Sequence, residues 1–517
     1  MLRKIRTILA VIFFVLITLL FLDLTGTIQH WFGWMAKIQF LPALLALNVG
    51  VVIGLVLLTV VFGRIYCSVI CPLGVFQDVV SRISSMRKKK KNRFRYSSAI
   101  AWLRYTVLVL FIAAFIAGIS SFVALISPYS AYGRIASNLF APIYDWINNC
   151  FAYFAKRADS YAFYSVDVWI KGIGTFVVAA VTFIAIAILA WRNGRTYCNT
   201  ICPVGTVLGF VSRFSLFKIT FDIDKCNGCK LCSYRCKASC INPAEHKIDF
   251  SRCVACMDCI GNCNQHAISY KFIPKKQTSK SAESHEAETV DTARRSALTA
   301  TAILAATSLL NAQKKQGDGG LAPLVDRKEP KRKTPLTPPG SLSAKHFAQH
   351  CTACQLCVTA CTNKVLTPSG DLMNFMQPVM SYKNGACRPE CTKCADRCPT
   401  SAIKPITREE KTSIQIGHAV WNKDACIVVK DSVSCGTCGR NCPAGAIHLV
   451  PRDAMQEMLL AQSQKGDGGR HHHGPQILMI PAVDEERCIG CGMCEYLCPA
   501  RPVSAIYVEG HEVHKTI

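Results

Sequence analysis

The sequence predicts a two-part molecule: a helical membrane half, built as four transmembrane helices in two related hairpins, joined to small α+β units folded around cysteine loops. Three observations predict it. Long apolar stretches are confined to the first 191 residues, a motif recurs within that half, and a regular cysteine pattern runs from residue 226 almost to the end.

The apolar stretches are Thr7 to Leu24, Leu41 to Phe62, Tyr105 to Ile126 and Gly172 to Trp191, each long enough to cross a bilayer. No signal-peptidase pattern follows the first, so it is expected to remain as an anchor. Arg3, Lys4 and Arg6 and the basic loop 64 to 98 mark the inner side, whereas the connections 26 to 40 and 127 to 171 are poor in Lys and Arg and are expected outside. Trp31, Trp34, Tyr129, Tyr132, Tyr144 and Trp146 in those connections suit the membrane interface, and Cys150 reads as a buried apolar filler.

The repeat is close. Gly63-Arg64-Ile65-Tyr66-Cys67-Ser68-Val69-Ile70-Cys71-Pro72-Leu73-Gly74 returns 131 residues later as Gly194-Arg195-Thr196-Tyr197-Cys198-Asn199-Thr200-Ile201-Cys202-Pro203-Val204-Gly205. Each copy follows the second helix of a hairpin, so a pseudo-twofold arrangement brings Cys67, Cys71, Cys198 and Cys202 near one another. Cysteines four apart share a face if the segment is helical, and a proline just after the second suits the first turn of a new helix. The chemistry stays open between a centre held by all four thiolates, a thiol/disulfide pair, a soft-metal site and buried structural thiols.

Twenty-four of the 30 cysteines fall into six four-cysteine runs. Four are spaced C-x2-C-x2-C-x3-C: Cys226, Cys229, Cys232, Cys236; Cys253, Cys256, Cys259, Cys263; Cys351, Cys354, Cys357, Cys361; and Cys488, Cys491, Cys494, Cys498. Two are stretched: Cys387, Cys391, Cys394, Cys398 and Cys426, Cys435, Cys438, Cys442. Thiolates at every third residue wrap three corners of an iron-sulfur cube while the fourth cysteine crosses to a neighbouring cluster, so six runs imply three pairs, or about six 4Fe-4S clusters. Zinc knuckles need two separated C-x2-C pairs, and disulfides cannot join cysteines this crowded, so neither accounts for the pattern. Cys398-Pro399, Cys442-Pro443 and Cys498-Pro499 add the Cys-Pro ending of bacterial ferredoxin runs.

The formal charge of +26 counts every thiol as neutral. Six clusters, each with a net charge of about −2 including its thiolates, remove about twelve of those units. The run Arg87 to Arg95 between apolar segments then reads as a topology signal and an anionic-lipid contact, and no nucleic-acid partner is expected. No P-loop, dinucleotide fingerprint or Ser-His-Asp grouping accompanies the clusters.

These features divide the chain into a membrane domain (1–217), a two-cluster ferredoxin domain (218–272), a linker (273–341) and a four-cluster ferredoxin domain (342–517). Segments 274 to 292 and 313 to 341 read as mobile tethers, and His471, His472 and His473 as an exposed insertion.

Residues 1 to about 270 resemble the NapH-type membrane ferredoxin that oxidises quinol for periplasmic nitrate reductase, through the apolar spans, the duplicated Tyr-Cys-x3-Cys-Pro motif and the ferredoxin segment that follows. That resemblance implies a role for Cys67, Cys71, Cys198 and Cys202 in quinol-linked electron transfer, and cluster ligation by the runs at 226 and 253 on the cytoplasmic side. One departure is Cys236-Lys237-Ala238-Ser239-Cys240, which lacks the usual proline and leaves either Cys236 or Cys240 as the fourth ligand. The second half looks like a fused NapG-type four-cluster ferredoxin, and Thr292-Ala293-Arg294-Arg295-Ser296-Ala297-Leu298 resembles a twin-arginine signal within 292–311. Lys314, Lys315, Lys328, Lys331, Arg332 and Lys333 beyond it oppose export by charge, but the twin-arginine resemblance implies that residues 312 to 517 are periplasmic. The expected function is electron transfer in a bacterial cytoplasmic membrane, from the quinone pool toward a terminal reductase or a cytochrome or ferredoxin partner. Copper reduction and redox sensing are the rival classes.

Overall fold

The computed structural model describes residues 2–86, 94–273, 326–453 and 477–517, except Leu24 and Ile170, with a few isolated positions in the intervening segments. Most of the basic run, the twin-arginine segment 292–311 and the three histidines lie outside the described residues.

Two of the four expected spans are single helices of 21 residues, α1 (Leu2–Leu22) and, later in the chain, Ile173–Asn193. The other two are interrupted, which corrects the expectation of four unbroken spans. The chain runs through the short helices α2 (Thr27–Phe32) and α3 (Trp34–Lys37) into α4 (Phe40–Leu45), then turns at Leu47, whose φ is 52°. The Asn48 side chain accepts the Val51 N–H and starts α5 (Val49–Phe62). At 14 residues, α5 reaches only about 21 Å, short of a hydrocarbon core about 30 Å thick.

Beyond α5, Gly63 and Arg64 lead into α6 (Ile65–Val69) and α7 (Pro72–Ser85). The third expected span divides at Gly118 into α8 (Ala101–Ile116) and α9 (Ser120–Ile126). Then come α10 (Pro128–Ile135), a π-helical turn Ala136–Phe140, α11 (Ala141–Arg157) and α12 (Ile173–Asn193). The second copy of the motif gives α13 (Thr196–Thr200) and α14 (Pro203–Val211), so both copies adopt the same helix-break-helix form. Cys71 and Cys202 are extended residues immediately before Pro72 and Pro203, where a missing N–H leaves no helix bond unmade. Each C-x3-C pair therefore spans a break instead of sharing one helical face.

The connection 127 to 171 also departs from expectation at its start. Every residue of α10 is buried, and Tyr129 and Tyr132 pack on Phe21 and Phe14 instead of lying at an interface. Trp31, Trp34, Tyr144 and Trp146 are exposed, and Cys150 is only part-buried.

The first cysteine-rich unit is closed by antiparallel pairing of Phe217–Phe221 with Ile268–Phe272, the strands that open and end it. It sits at the N-terminal end of α1, where Arg3 Nε meets Asp258 Oδ1 at 3.0 Å. The second unit is closed by Ile414–Trp421 pairing with Ile506–Thr516, a ladder interrupted by an irregularity between Gly510 and Lys515. It begins earlier than expected. Residues 326–341 are packed against it: Leu336 is in its core, and Arg332 bonds the Val508 carbonyl and the Glu495 carboxylate. Arg332 is thus spent on an internal ion pair, which weakens its weight as a topology charge.

This second unit lies against the opposite end of α1. Cys354 and Leu356 join the apolar cluster of Leu20, Phe21 and Tyr129, Asn138 donates to Gln355 at 2.8 Å, and Arg397 pairs with Asp23. The two cysteine-rich units are therefore separated by the length of α1, about 30 Å.

Candidate iron-sulfur sites

The four evenly spaced runs share one backbone device. In each, the residue before the second cysteine and the residue after it have positive φ: Gly228 and Lys230, Ala255 and Met257, Ala353 and Gln355, Gly490 and Gly492. Alternation of right- and left-handed residues curls the loop so that successive N–H groups face one concavity, a nest for a negatively charged group. Nothing in the composition of these positions announces that curl, since only three of the eight residues are glycine.

The fourth cysteine of each run is carried to the partner run. Cys226, Cys229, Cys232 and Cys263 line one cavity, and Cys426, Cys435, Cys438 and Cys498 line another. Cys398 stands beside Cys351, Cys354 and Cys357; Cys361 beside Cys387 and Cys394; and Cys442 beside Cys488, Cys491 and Cys494. Backbone N–H groups of Val365, Ile403, Ala446 and Ala505 point at Cys361, Cys398, Cys442 and Cys498 from 3.3 to 3.4 Å. Curled loops, crossing fourth cysteines and N–H donors on sulfur fit anionic 4Fe-4S clusters.

Cys253, Cys256 and Cys259 face both candidates for the remaining corner. Cys236 lies beside all three, whereas Cys240 is wedged between Cys236, at 3.6 Å, and Cys253. This favours Cys236 as the fourth ligand and Cys240 as an S–H donor to it.

In the C-terminal unit burial pushes Cys438 up to about 11 and Cys354 up to about 12, whereas the Cys240 hydrogen bonds pull Cys236 and Cys253 down. A bare thiolate is poorly solvated there, and iron is what would make it stable. Lys411 partly offsets burial at Cys387, donating to its sulfur at 3.4 Å. Sequence reading gave Lys411 no role.

The duplicated motif forms a separate site. Cys67, Cys71, Cys198 and Cys202 are all buried, each between 3 and 4 % exposed. Two arginines cross the pseudo-twofold: Arg64 donates to the Cys198 carbonyl at 3.2 Å, and Arg195 to the Cys67 carbonyl. A Cβ on Gly74 or Gly205 would first strike the carbonyl of its own copy, Cys67 or Cys198, and then the crossing arginine, which explains the duplicated glycines. A Cβ on Gly74 would stand 2.8 Å from Arg195, and one on Gly205 would stand 2.9 Å from Arg64. Arg64 and Arg195 were visible as part of the repeat, but their exchange between copies was not legible.

Comparison with known proteins finds 4Fe-4S domains in this chain. The description "4Fe-4S binding domain" matches residues 44–92 and 175–222, the two copies of the repeat, and "4Fe-4S dicluster domain" matches residues 433–501. The methylamine utilization ferredoxin-type protein MauM of Paracoccus denitrificans is 30% identical over 192 residues, 35% of this chain and 75% of MauM. Ferredoxin-type protein NapF of Escherichia coli K12 is 29% identical over 177 residues, 34% of this chain and 87% of NapF. An uncharacterized protein of Methanocaldococcus jannaschii is 23% identical over 224 residues, 43% of this chain and 69% of its own length. No solved structure matches.

Proposed function

Because the chain belongs to the ferredoxin-type 4Fe-4S proteins, we propose that it is a membrane-bound electron conduit that takes electrons from quinol and passes them along iron-sulfur clusters toward a terminal reductase. The observation that carries this reading is the placement of cysteine sites at both ends of α1, about 30 Å apart, with apolar surface between them. Large apolar side chains face outward along that surface, including Ile8, Val11, Ile53, Leu57, Val109, Ile112, Ile184 and Ile188. A soluble helical core would bury such residues; a lipid-facing surface exposes them.

In this reading the membrane is the bacterial cytoplasmic membrane. The unit beside Arg3 and Arg6 is cytoplasmic and the C-terminal unit periplasmic, as in a NapH-type quinol dehydrogenase fused to a NapG-type ferredoxin. Six clusters would be held by the 226, 229, 232, 263 set; by 253, 256, 259 with Cys236; by 351, 354, 357, 398; by 387, 391, 394, 361; by 426, 435, 438, 498; and by 488, 491, 494, 442. When bound, clusters supply one-electron redox chemistry. The chain's part is to space them, bury them and aim N–H groups at sulfur, which sets their potentials. Cys67, Cys71, Cys198 and Cys202 sit between the two ends and are the residues for the quinol-linked step.

The test is reduction of the full chain in proteoliposomes by a menaquinol analogue under anaerobic conditions. Bleaching of the cluster absorbance at a rate set by quinol concentration is expected. A chain that dithionite reduces but quinol does not would overturn the quinol reading. A tag after Ile517 tests the topology: access to protease in spheroplasts supports the periplasmic assignment, and protection refutes it.

A further inference from the structure

The four thiols of the repeated motif belong to none of the six ferredoxin-type runs, although they share a buried cluster with Cys236, Cys256 and Cys259. Each of their sulfurs has a single hydrogen-bond donor aimed at it. Arg64 Nη2 approaches Cys67 Sγ at 3.7 Å, Gln77 Nε2 approaches Cys198 Sγ at 3.2 Å, the Gly205 N–H approaches Cys202 Sγ at 3.3 Å, and the Gly74 N–H serves Cys71 in the same way. Two donors are the matching glycines of the two copies, and Gln77 of the first copy serves the second. The thiols are free, so the arrangement is not a disulfide.

Charge identifies what is missing. Arg64 is fully buried and bonds Asn199, the Ser251 and Cys198 carbonyls and the Cys67 sulfur; among the described residues it has no carboxylate partner. Arg195, also fully buried, shares Asp78 with Arg6 and Lys237. A buried guanidinium without a counter-ion is costly unless an anion lies against it. A 4Fe-4S core with four thiolates carries about −2 and is an anion of that kind.

We propose that Cys67, Cys71, Cys198 and Cys202 jointly hold a seventh 4Fe-4S cluster, shared between the two copies of the repeat, which links the two ferredoxin units electrically. Each copy supplies only two ligands, so neither can hold a cluster alone. On one side Arg64 stands beside Cys253 of the first unit; on the other, Tyr197 lies beside Cys198 and Cys202, and Arg134 lies beside both Tyr197 and Cys354 of the second. The cluster thus occupies the middle of the path whose ends are set by α1. The conduit role rests on the proposed function above. The ligation does not, because it stands on the thiols, their donors and Arg64.

The experiment is an iron and sulfide count on anaerobically purified full-length protein, wild type beside Cys67→Ser, Cys198→Ser and the double variant, with Cys150→Ser as control. Wild type should hold about 28 irons per chain, against about 24 for six clusters. Each single variant should lose about four irons, and the double variant should lose no more than either single one. A wild-type value near 24, unchanged iron in the single variants, twice the loss in the double variant, or copper or zinc in place of the iron would each overturn the proposal. The wild-type count stands even if a variant fails to fold, and none of these readouts depends on quinol.

Discussion

Asp78 is where the helical half and the first ferredoxin unit are fastened, and replacing it by Asn isolates that contact. Its carboxylate meets Arg195 Nε at 2.7 Å, Lys237 Nζ at 3.1 Å and the Arg6 guanidinium, with only 11% of its side chain exposed. Lys237 keeps Asp258 at 2.9 Å, but Arg6 is buried and Arg195 fully buried, and among the described residues neither makes an ion pair with another carboxylate. Asp78→Asn therefore strands two buried guanidiniums, and breaking a buried pair from one side costs about 3–5 kcal/mol. That loosens the loop carrying Cys236 and Lys237 by about two to four orders of magnitude in its opening equilibrium. Hydrogen exchange on the full chain in detergent reads it directly: faster exchange across residues 235–241, with the C-terminal unit unaffected. The double variant Asp78→Asn/Arg195→Gln should recover part of the loss, because one of the two stranded charges is gone. Unchanged exchange in Asp78→Asn would refute the reasoning, showing that the three cations are adequately solvated without the carboxylate.

Three further outcomes are expected. Cys236→Ser should lose the cluster of the Cys253 run while Cys240→Ser retains it, read as iron content and reduced EPR; the reverse result would make Cys240 the ligand. Gly205→Ala places a methyl group against the Cys198 carbonyl and 2.9 Å from Arg64, and overpacking of this kind should lower stability by about 1–3 kcal/mol in thermal melts. Burial, with His511 beside it, pushes His514 down to about 4 from an ordinary 6.5. The unfolded chain then takes up a proton below pH 6.5 that the folded one refuses, so stability falls as pH drops through 6.5 and levels off near 4. Urea titrations should show about 2 kcal/mol less stability at about pH 5 than at about pH 7.5, and His514→Gln should remove that slope.

The chain's chemistry was legible in its sequence because cluster ligation is local. Three thiolates at every third residue must come from one loop, so spacing alone marks the runs at 226, 253, 351 and 488, and the echo 131 residues apart marks the pair of C-x3-C motifs. Hydropathy likewise marked α1 and α12, whose apolar character extends over whole helices. What depends on distant residues stayed hidden. The breaks at Leu47 and Gly118 fall inside apolar runs, where hydropathy is blind to a single left-handed residue. The aromatic residues of α10 look like interface residues until α1 closes over them. The choice between Cys236 and Cys240 is a matter of angstroms at Cys253. Only the tertiary fold brings Arg64 to Cys198 and Arg195 to Cys67, across a separation of more than a hundred residues, because that exchange exists only once the two copies pack face to face.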